Sequence, residues 1–199
     1  MKKTTKLFSI LLLITIIFSG CASDESNSKK VAREFGTTLY TVDGEKVDEY
    51  KKMVKAGEKI ALTNLEITRT GGVVPLPQEY IKMMQSADKN IQSLMTPKAY
   101  ESIMANRFNT LSAEVCAKGN YTLEVTDFIL DDNLYDEKEE QAGYYYEAKL
   151  KFISNDGKDQ QTDTANGYIG LLKENGQWKV DFHNSRPSTF YKEILSNNK

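Results

Sequence analysis

The sequence predicts an α+β domain with helices in its first half and an antiparallel sheet in its second. Before about residue 115 the apolar residues recur at helical spacing, whereas after it they alternate along extended runs. Short turn signals join these runs, among them Asn175-Gly176, and such signals are typical of antiparallel strands. Helices that precede a sheet with one apolar face are expected to pack on that face.

The N-terminal segment indicates export rather than part of the domain. Lysines at positions 2, 3 and 6 precede an apolar run from Leu7 to Phe18, which is shorter than the ~20 residues of a membrane-spanning helix. Phe18-Ser19-Gly20-Cys21 resembles the lipobox of bacterial lipoproteins, in which the Cys is acylated and becomes the new N-terminus. We therefore predict a lipoprotein signal peptide over residues 1–20 and lipidation at Cys21. Ordinary secretion with a chance Cys is the alternative.

The remaining chain is predicted to comprise a polar, flexible tether over residues 21–29, starting with the lipidated Cys, and one domain over residues 30–199. Loss of residues 1–20 removes three Lys and no acidic residue, so the formal net charge changes from -2 to -5. An acidic domain argues against nucleic acid as a partner and against membrane contact through a basic patch. The predicted location is the extracytoplasmic face of the cell membrane, with the lipid as anchor.

Two amphipathic helices are predicted at the start of the domain. The first is capped by Ser28 and carries the apolar face Val31, Phe35, Leu39 and Val42. Asp43-Gly44 interrupts this stripe, and a second helix then carries Val47 to Val54 and ends at Gly57. Residues 65–77, with Gly71-Gly72 and two prolines, are predicted to form a short strand or loop.

Further helices are predicted from about Gln78 and from Thr96-Pro97, a cap followed by a first-turn proline. The second of these is expected to extend to Leu111. Cys116 lies at the end of this helical pattern, and without a paired His it is predicted to be a buried structural thiol rather than a nucleophile. Since Cys21 would carry lipid, no disulfide is expected.

Four strands are predicted in the second half. The strand over residues 121–130 changes phase once, which places a β-bulge near Thr126-Asp127. The strand over 144–152 alternates cleanly and turns at Asp156-Gly157. Residues 167–172 and 178–183 pair across the Asn175-Gly176 turn, with Trp178, Val180 and Phe182 on the apolar face. A last amphipathic turn, Phe190–Leu195, is expected to dock the C-terminus.

These elements resemble the nuclear transport factor two-like, or cystatin-like, superfamily over roughly residues 30–185. The resemblance rests on "SLMTPKAYESIM" after a helix, on three long strands, and on the closing "NGQWKVDF". It implies a curved sheet wrapped around a long helix, forming a cone with a pocket. Members include SnoaL-like cyclases, ketosteroid isomerase and small bacterial lipoproteins. "LYTVDGEKVDEYKKM" is also similar to extracytoplasmic members linked to conjugation and secretion channels.

Candidate catalytic and metal-binding residues are few. His183, the only His, shares a strand face with Asp181, but residues two apart on a strand lie ~6.5 to 7 Å from one another. Because this face opposes Trp178, both side chains are predicted to point to solvent. "DDNLYDEKEE" lacks the Gly and the bidentate Glu of a calcium loop and is predicted to be an acidic, solvated hairpin loop. No catalytic residue, metal or cofactor is predicted.

The abundant tyrosines leave a binding role open. Tyr144, Tyr146 and Trp178 share the apolar face of the sheet and would line the cone, or they fill it as ordinary core residues. We therefore expect a non-enzymatic binding domain for an envelope protein or a small apolar ligand. The alternatives are an accessory subunit of a conjugation or secretion system and, third, a SnoaL-like cyclase or isomerase.

Overall fold

The structure is a computed structural model that describes residues 24–68, 77–87, 89–136, 138–186 and 188–196. The predicted signal peptide over residues 1–20, the lipidation site Cys21 and the pair Gly71-Gly72 lie outside these residues. In the part of the chain that is described, no helix is both long enough and apolar enough to cross a membrane.

The predicted α+β class is confirmed. The helices are α1 Asp24–Tyr40, α2 Gly44–Thr68, α3 Gln78–Ala87, α4 Lys89–Ser93, α5 Pro97–Ala105, α6 Phe108–Gly119 and α7 Thr189–Ser196. The strands are β1 Tyr121–Asp136, β2 Gln141–Ser154, β3 Gln160–Glu174 and β4 Gln177–Arg186. They form one antiparallel sheet in the order β1-β2-β3-β4, a meander as the sequence indicates.

Helix α1 begins earlier than predicted. It starts at Asp24, so residues 24–29, which were assigned to a flexible tether, are its first turns. Ser28 is not a cap: it is buried, and its hydroxyl lies 2.6 Å from the hydroxyl of Tyr144. Asp24 forms an ion pair with Lys173 of β3. The helix start is therefore fixed to the sheet, while Phe35 and Leu39 are buried as predicted.

Helix α2 is longer than predicted, because it continues through Gly57 to Thr68. The prediction of a helix end at Gly57 is wrong, and so is that of a strand or loop for residues 65–68. A Cβ at Gly57 would lie 3.2 Å from the hydroxyl of Tyr80 in α3. The glycine therefore permits a close approach of α3 instead of ending the helix, and good helix formers such as Glu58 and Lys59 follow it.

The cap at Thr96 is confirmed, because its Oγ1 accepts a hydrogen bond from the amide of Ala99 at 3.2 Å and Pro97 is the first helical residue. The helix predicted to reach Leu111 is instead broken in two. Asn106 ends α5, and Arg107 adopts a left-handed conformation with φ 59° before α6. A left-handed residue other than Gly interrupts the i→i−4 hydrogen-bond pattern, so the two helices change direction there.

The sheet confirms the strands predicted over residues 121–130, 144–152 and 167–172, but β1 continues to Asp136. The prediction of a hairpin loop for residues 131–140 is therefore wrong for residues 131–136, which pair with β2. The register shifts between Val125 and Asp127, where the bulge was predicted. The apolar face of β2 is at most 3 % exposed at Tyr144, Tyr146, Ala148, Leu150 and Phe152. Gly157 has φ 72°, and Asn175 and Gly176 have φ 51° and 78°, so the predicted turns occur.

Strand β4 departs from its predicted alternation. Gly170 pairs with Phe182 but Leu171 pairs with Val180, so Asp181 is an extra residue in a second bulge. Trp178 and Val180 are buried, as expected, whereas Phe182 is 52 % exposed and His183 turns inward. Because one extra residue reverses the side-chain phase of everything after it, the predicted orientations of Phe182 and His183 are wrong.

Helix α7 docks the C-terminus as predicted. Tyr191 and Ile194 are buried, and the ring of Tyr191 lies edge-on to that of Phe152, with centroids 5.8 Å apart. The Tyr191 hydroxyl donates to Ser112 of α6 at 3.0 Å. The closing helix thus joins the inner face of the sheet to the helical layer.

Candidate functional site

The three residues proposed from sequence to line a pocket are packed in the interior. Tyr144, Tyr146 and Trp178 are 1 %, 3 % and 6 % exposed. The hydroxyl of Tyr146 lies 2.8 Å from that of Tyr40, and Phe128 stacks on its ring at 5.0 Å. Trp178 packs against a different residue, Tyr135 of β1, with the two ring centroids 6.2 Å apart. Within the described residues, these three side chains fill space and do not line one shared cavity.

His183 belongs to this interior network. Its Nε2 lies 3.0 Å from the Tyr146 hydroxyl, and the rings of Phe35 and Phe108 meet it edge-on at 5.3 and 5.6 Å. Burial lowers the pKa of His183 to about 4, so the imidazole is neutral at pH 7. Its Nδ1 is buried and has no partner among the described residues.

Asp181, which shares the strand with His183, is not its hydrogen-bond partner. Asp181 is turned away from it, because its Oδ1 accepts a hydrogen bond from Thr96 at 2.9 Å. The nearby void, lined in part by Tyr40, Phe108 and Tyr191, measures only about 10 Å³. A void of this size holds at most about one water molecule. His183 therefore acts here as a packed, hydrogen-bonded side chain.

Cys116 is also structural. It is fully buried and unpaired, and burial raises the pKa of its thiol to about 12. The prediction that Cys116 is buried is confirmed, and a raised pKa disfavours the thiolate form. Among the described residues no group of three or more His, Cys, Asp or Glu side chains is placed to hold a metal ion.

A cavity large enough for a small molecule lies in the helical layer. A cavity of about 490 Å³ is enclosed by α2, α3 and α6, with the C-terminal end of α1 and residues of α4 and α5. This volume lies within the ~300 to 1,000 Å³ range of small-molecule sites. Its apolar lining includes three methionines, Met53 of α2, Met84 of α3 and Met104 of α5. The branched side chains Val54, Ile91 and Leu39 also line it.

Charged groups surround the mouth of this cavity. Arg107 lies 3.0 Å from Glu114 in α6, and Tyr50 of α2 hydrogen-bonds to both. Burial and the Glu114 carboxylate raise the pKa of Tyr50. Lys46 donates to the carbonyl oxygens of Thr38 at 3.2 Å and of Thr41 at 2.7 Å. These bonds join the start of α2 to the end of α1 and so hold one wall of the cavity in place.

Sequence reasoning assigned Met53, Val54 and Met84 to amphipathic helices but not to a site. Their spacing fits a stripe that packs on a neighbour, and a stripe facing a cavity has the same spacing. The early helix end predicted at Gly57 also concealed the packing of α2 on α3. The several methionines on neighbouring stripes were the available signal, because Met suits irregular binding surfaces.

Comparisons with protein-family models, with curated proteins and with solved structures found no match to this chain.

Proposed function

We propose that this chain is a lipid-anchored protein of the extracytoplasmic membrane face whose domain binds a small, mostly apolar ligand without converting it. The observation that supports the binding role is the helical cavity of about 490 Å³. The lipobox-like sequence that ends at Cys21 supports the location.

The chemistry of the cavity favours binding over turnover. Its interior is largely aliphatic and thioether, and such walls attract apolar groups through burial and dispersion. The neutral His183 and the carboxylate of Asp181 belong to other parts of the fold. The methionines, which are flexible and polarisable, suit ligands of variable shape. Lys46, Arg107 and Tyr50 provide polar groups that orient a ligand at the mouth.

We further propose that the sheet and α1 form the cone of the nuclear transport factor two-like domains. The contacts of α1 with all four strands support this arrangement. In this molecule the cone interior is occupied by tyrosine rings, so the ligand site lies beside it, between the helices.

The ligand site is tested by photolabelling of the full-length chain in membranes with an alkyl diazirine. Crosslinks are expected on the α2, α3 and α5 peptides that contain Met53, Met84 and Met104. Met84→Trp fills the cavity and should reduce labelling of these peptides at least about tenfold. Ile129→Trp, at a 42 % exposed position on the sheet, is the control and should label like wild type. Equal labelling of Met84→Trp and wild type, with both folded by circular dichroism, would exclude the cavity as the site.

The anchor is tested separately. Metabolic labelling with a fatty acid should mark the wild-type chain and not Cys21→Ala, which should be released or remain an unprocessed precursor. Equal labelling of the two chains refutes lipidation at Cys21 and leaves the cavity proposal intact.

A further inference from the structure

Three aromatic rings lie side by side on the outer face of the sheet, away from the helices. Tyr145 of β2 is 54 % exposed, Phe182 of β4 is 52 % exposed, and Tyr168 of β3 lies between them. The ring centroids are 5.1 Å apart for Tyr145 and Tyr168 and 6.1 Å apart for Tyr168 and Phe182. We call these three residues the aromatic row.

The bulge in β4 at Asp181 creates this row. Without the extra residue at Asp181, Phe182 would follow Trp178 and Val180 into the core. Bulges commonly re-aim a side chain next to a functional site. A large exposed aromatic side chain on a strand has no role in the core of its own domain, so the row indicates a contact with another molecule.

A hollow lies on each side of Tyr168. One, of about 320 Å³, is lined in part by Asn166, Asn184 and Arg186. The other, of about 400 Å³, is lined in part by Asp136, Asp181 and Phe182 and has Gly143 and Gly170 in its floor. A Cβ at Gly143 would collide with the Tyr168 hydroxyl, so the missing side chain allows the Tyr168 ring to extend over Gly143.

The two hollows have opposite charge. Arg186 supplies a cation to the first, and among the described residues it makes no ion pair. Asp136 and Asp181 line the second and give it negative charge, although one oxygen of Asp181 also accepts the hydrogen bond from Thr96. Arg186 pairs in register with Asn166, and Phe182 with Gly170, four residues further along β3. At ~3.3 Å per residue, Arg186 and the Phe182 end of the acidic hollow, next to Asp181, are therefore ~13 Å apart along the strand. Asp136 lies further away, because it pairs with Gln141, which pairs with Leu172.

We propose that the aromatic row is the docking site of an extended peptide segment from a partner protein. The segment places a Lys or Arg side chain in the hollow of Asp136 and Asp181 and a carboxylate beside Arg186. About four residues span the distance, and the residues between the two charges are apolar and cross Tyr168. Aromatic residues and Arg are enriched at protein interfaces, and aromatic-lined grooves are a recurrent way to bind extended or proline-rich peptides.

The opposite charges favour a peptide over other occupants. A nucleic acid would be repelled by the carboxylates of one hollow. A neutral glycan could stack on the rings but would make no use of opposite charges at a fixed separation. The inference depends neither on the lipid anchor nor on a ligand in the helical cavity, since the row and the cavity share no lining residue.

The test uses the full-length chain and fluorescent peptides of the form Lys-X-X-X-Glu, in which X is Pro or Leu. Binding is measured by fluorescence polarisation. Phe182→Ala, a change at an exposed position that should leave folding intact, is expected to weaken binding by about tenfold or more. Arg186→Glu should weaken binding of Lys-X-X-X-Glu by about tenfold. The same variant should bind Lys-X-X-X-Lys as tightly as the wild type binds Lys-X-X-X-Glu. Lys192→Glu makes the same charge change at an exposed position of α7 and should alter the affinity for neither peptide.

Several results would overturn the proposal. One is equal affinity for Lys-X-X-X-Glu and for a peptide of the same length that lacks both charges. Another is the absence of rescue of Arg186→Glu by the peptide with exchanged charge. Binding of a soluble cello- or chito-oligosaccharide that Phe182→Ala abolishes would assign the row to a glycan instead. A concentration-dependent dimer that Phe182→Ala abolishes would assign it to a second copy of the chain.

Discussion

The interior beneath the sheet and the interior of the helical layer are packed in different ways. Under the sheet, Tyr144, Tyr146 and Tyr191 are nearly fully buried, and each hydroxyl has a hydrogen-bond partner. Between α2, α3 and α6 a cavity of about 490 Å³ stays open, lined by flexible methionines. A buried hydroxyl that is bonded fixes the position of its ring, whereas a thioether does not.

This difference separates stability from binding. The sheet, α1 and α7 contain most of the large side chains that are fully buried, such as Phe35, Phe152 and Ile169. Helix α2 packs mainly on α6 and α3. Changes within the sheet core should therefore affect unfolding, and changes in the α2–α3 region should affect ligands.

The largest expected effect contrasts two aromatic residues of β4. Trp178→Ala removes a side chain that is 6 % exposed and should lower the free energy of unfolding by ~3 to 5 kcal/mol. Phe182→Ala removes one that is 52 % exposed and should change it by less than ~0.5 kcal/mol. Urea unfolding measures both values. Similar losses for the two variants would mean that β4 alternates without the second bulge.

The next effect is a pH dependence that arises from His183. Burial lowers its pKa in the folded state to about 4, below the ordinary value of 6.5. Between these values the unfolded state binds a proton that the folded state does not, so stability falls as the pH decreases. From pH 6.5 to 4.5 the contribution of this residue amounts to about 2 to 3 kcal/mol.

Urea unfolding of wild type and His183→Gln at several pH values isolates this contribution, because both chains share every other titrating group. The free energy of wild type should decrease more steeply toward pH 4.5 than that of the variant. Parallel curves would show that His183 is accessible to water and protonates in the folded state.

A smaller effect is expected from a single hydroxyl. Tyr146→Phe leaves Tyr40 and His183 without one of their buried partners and should lower the free energy of unfolding by ~1 to 3 kcal/mol. Tyr145→Phe, the same change at a 54 % exposed position on the outer face, should have little effect because it removes no buried hydrogen bond. If the two variants unfold at the same urea concentration, the inner network does not stabilise the fold.

The smallest effect concerns the helical layer. Gly57→Ala should stabilise the protein by up to ~1 kcal/mol, because Gly57 lies inside α2 and not at a left-handed helix end. The gain depends on a small shift of the Tyr80 hydroxyl, which lies 3.2 Å from the added Cβ position. Thermal unfolding measures it. A loss of more than ~1 kcal/mol would show that the Tyr80 hydroxyl cannot move and that the close approach of α3 requires a glycine at this position.

Most of the sheet could be predicted from the sequence. The bulge in β1 near Thr126-Asp127 was predicted, whereas the bulge in β4 at Asp181 was not. Around Thr126-Asp127 the apolar residues change phase, so the extra residue is visible in the pattern. Around Asp181 the pattern hides it, because Phe182 is apolar although it faces solvent. An exposed apolar residue has the same place in the alternating pattern as a core residue, so the inward turn of His183 could not be predicted.

The helical layer was harder to predict for a different reason. Gly commonly ends a helix and Ser commonly begins one. Here Gly57 lies close to Tyr80 of α3, and Ser28 is buried against Tyr144 of β2. Tertiary contacts with Tyr80 and Tyr144 decide their roles, and such contacts are not visible in local sequence. The cavity was missed because its lining and an ordinary helix stripe follow the same spacing.

The early start of α1 limits how far the domain can stand from its proposed anchor. Cys21 and Asp24 are three residues apart, so the chain between them reaches at most ~11 Å. Asp24 is held to Lys173 on the sheet. The cavity begins at Thr38, fourteen residues along α1 and therefore ~20 Å from that end of the helix. Acyl chains on Cys21 would thus keep the Lys173 end of the sheet next to the bilayer, and would confine the cavity mouth to a narrow range of heights above it.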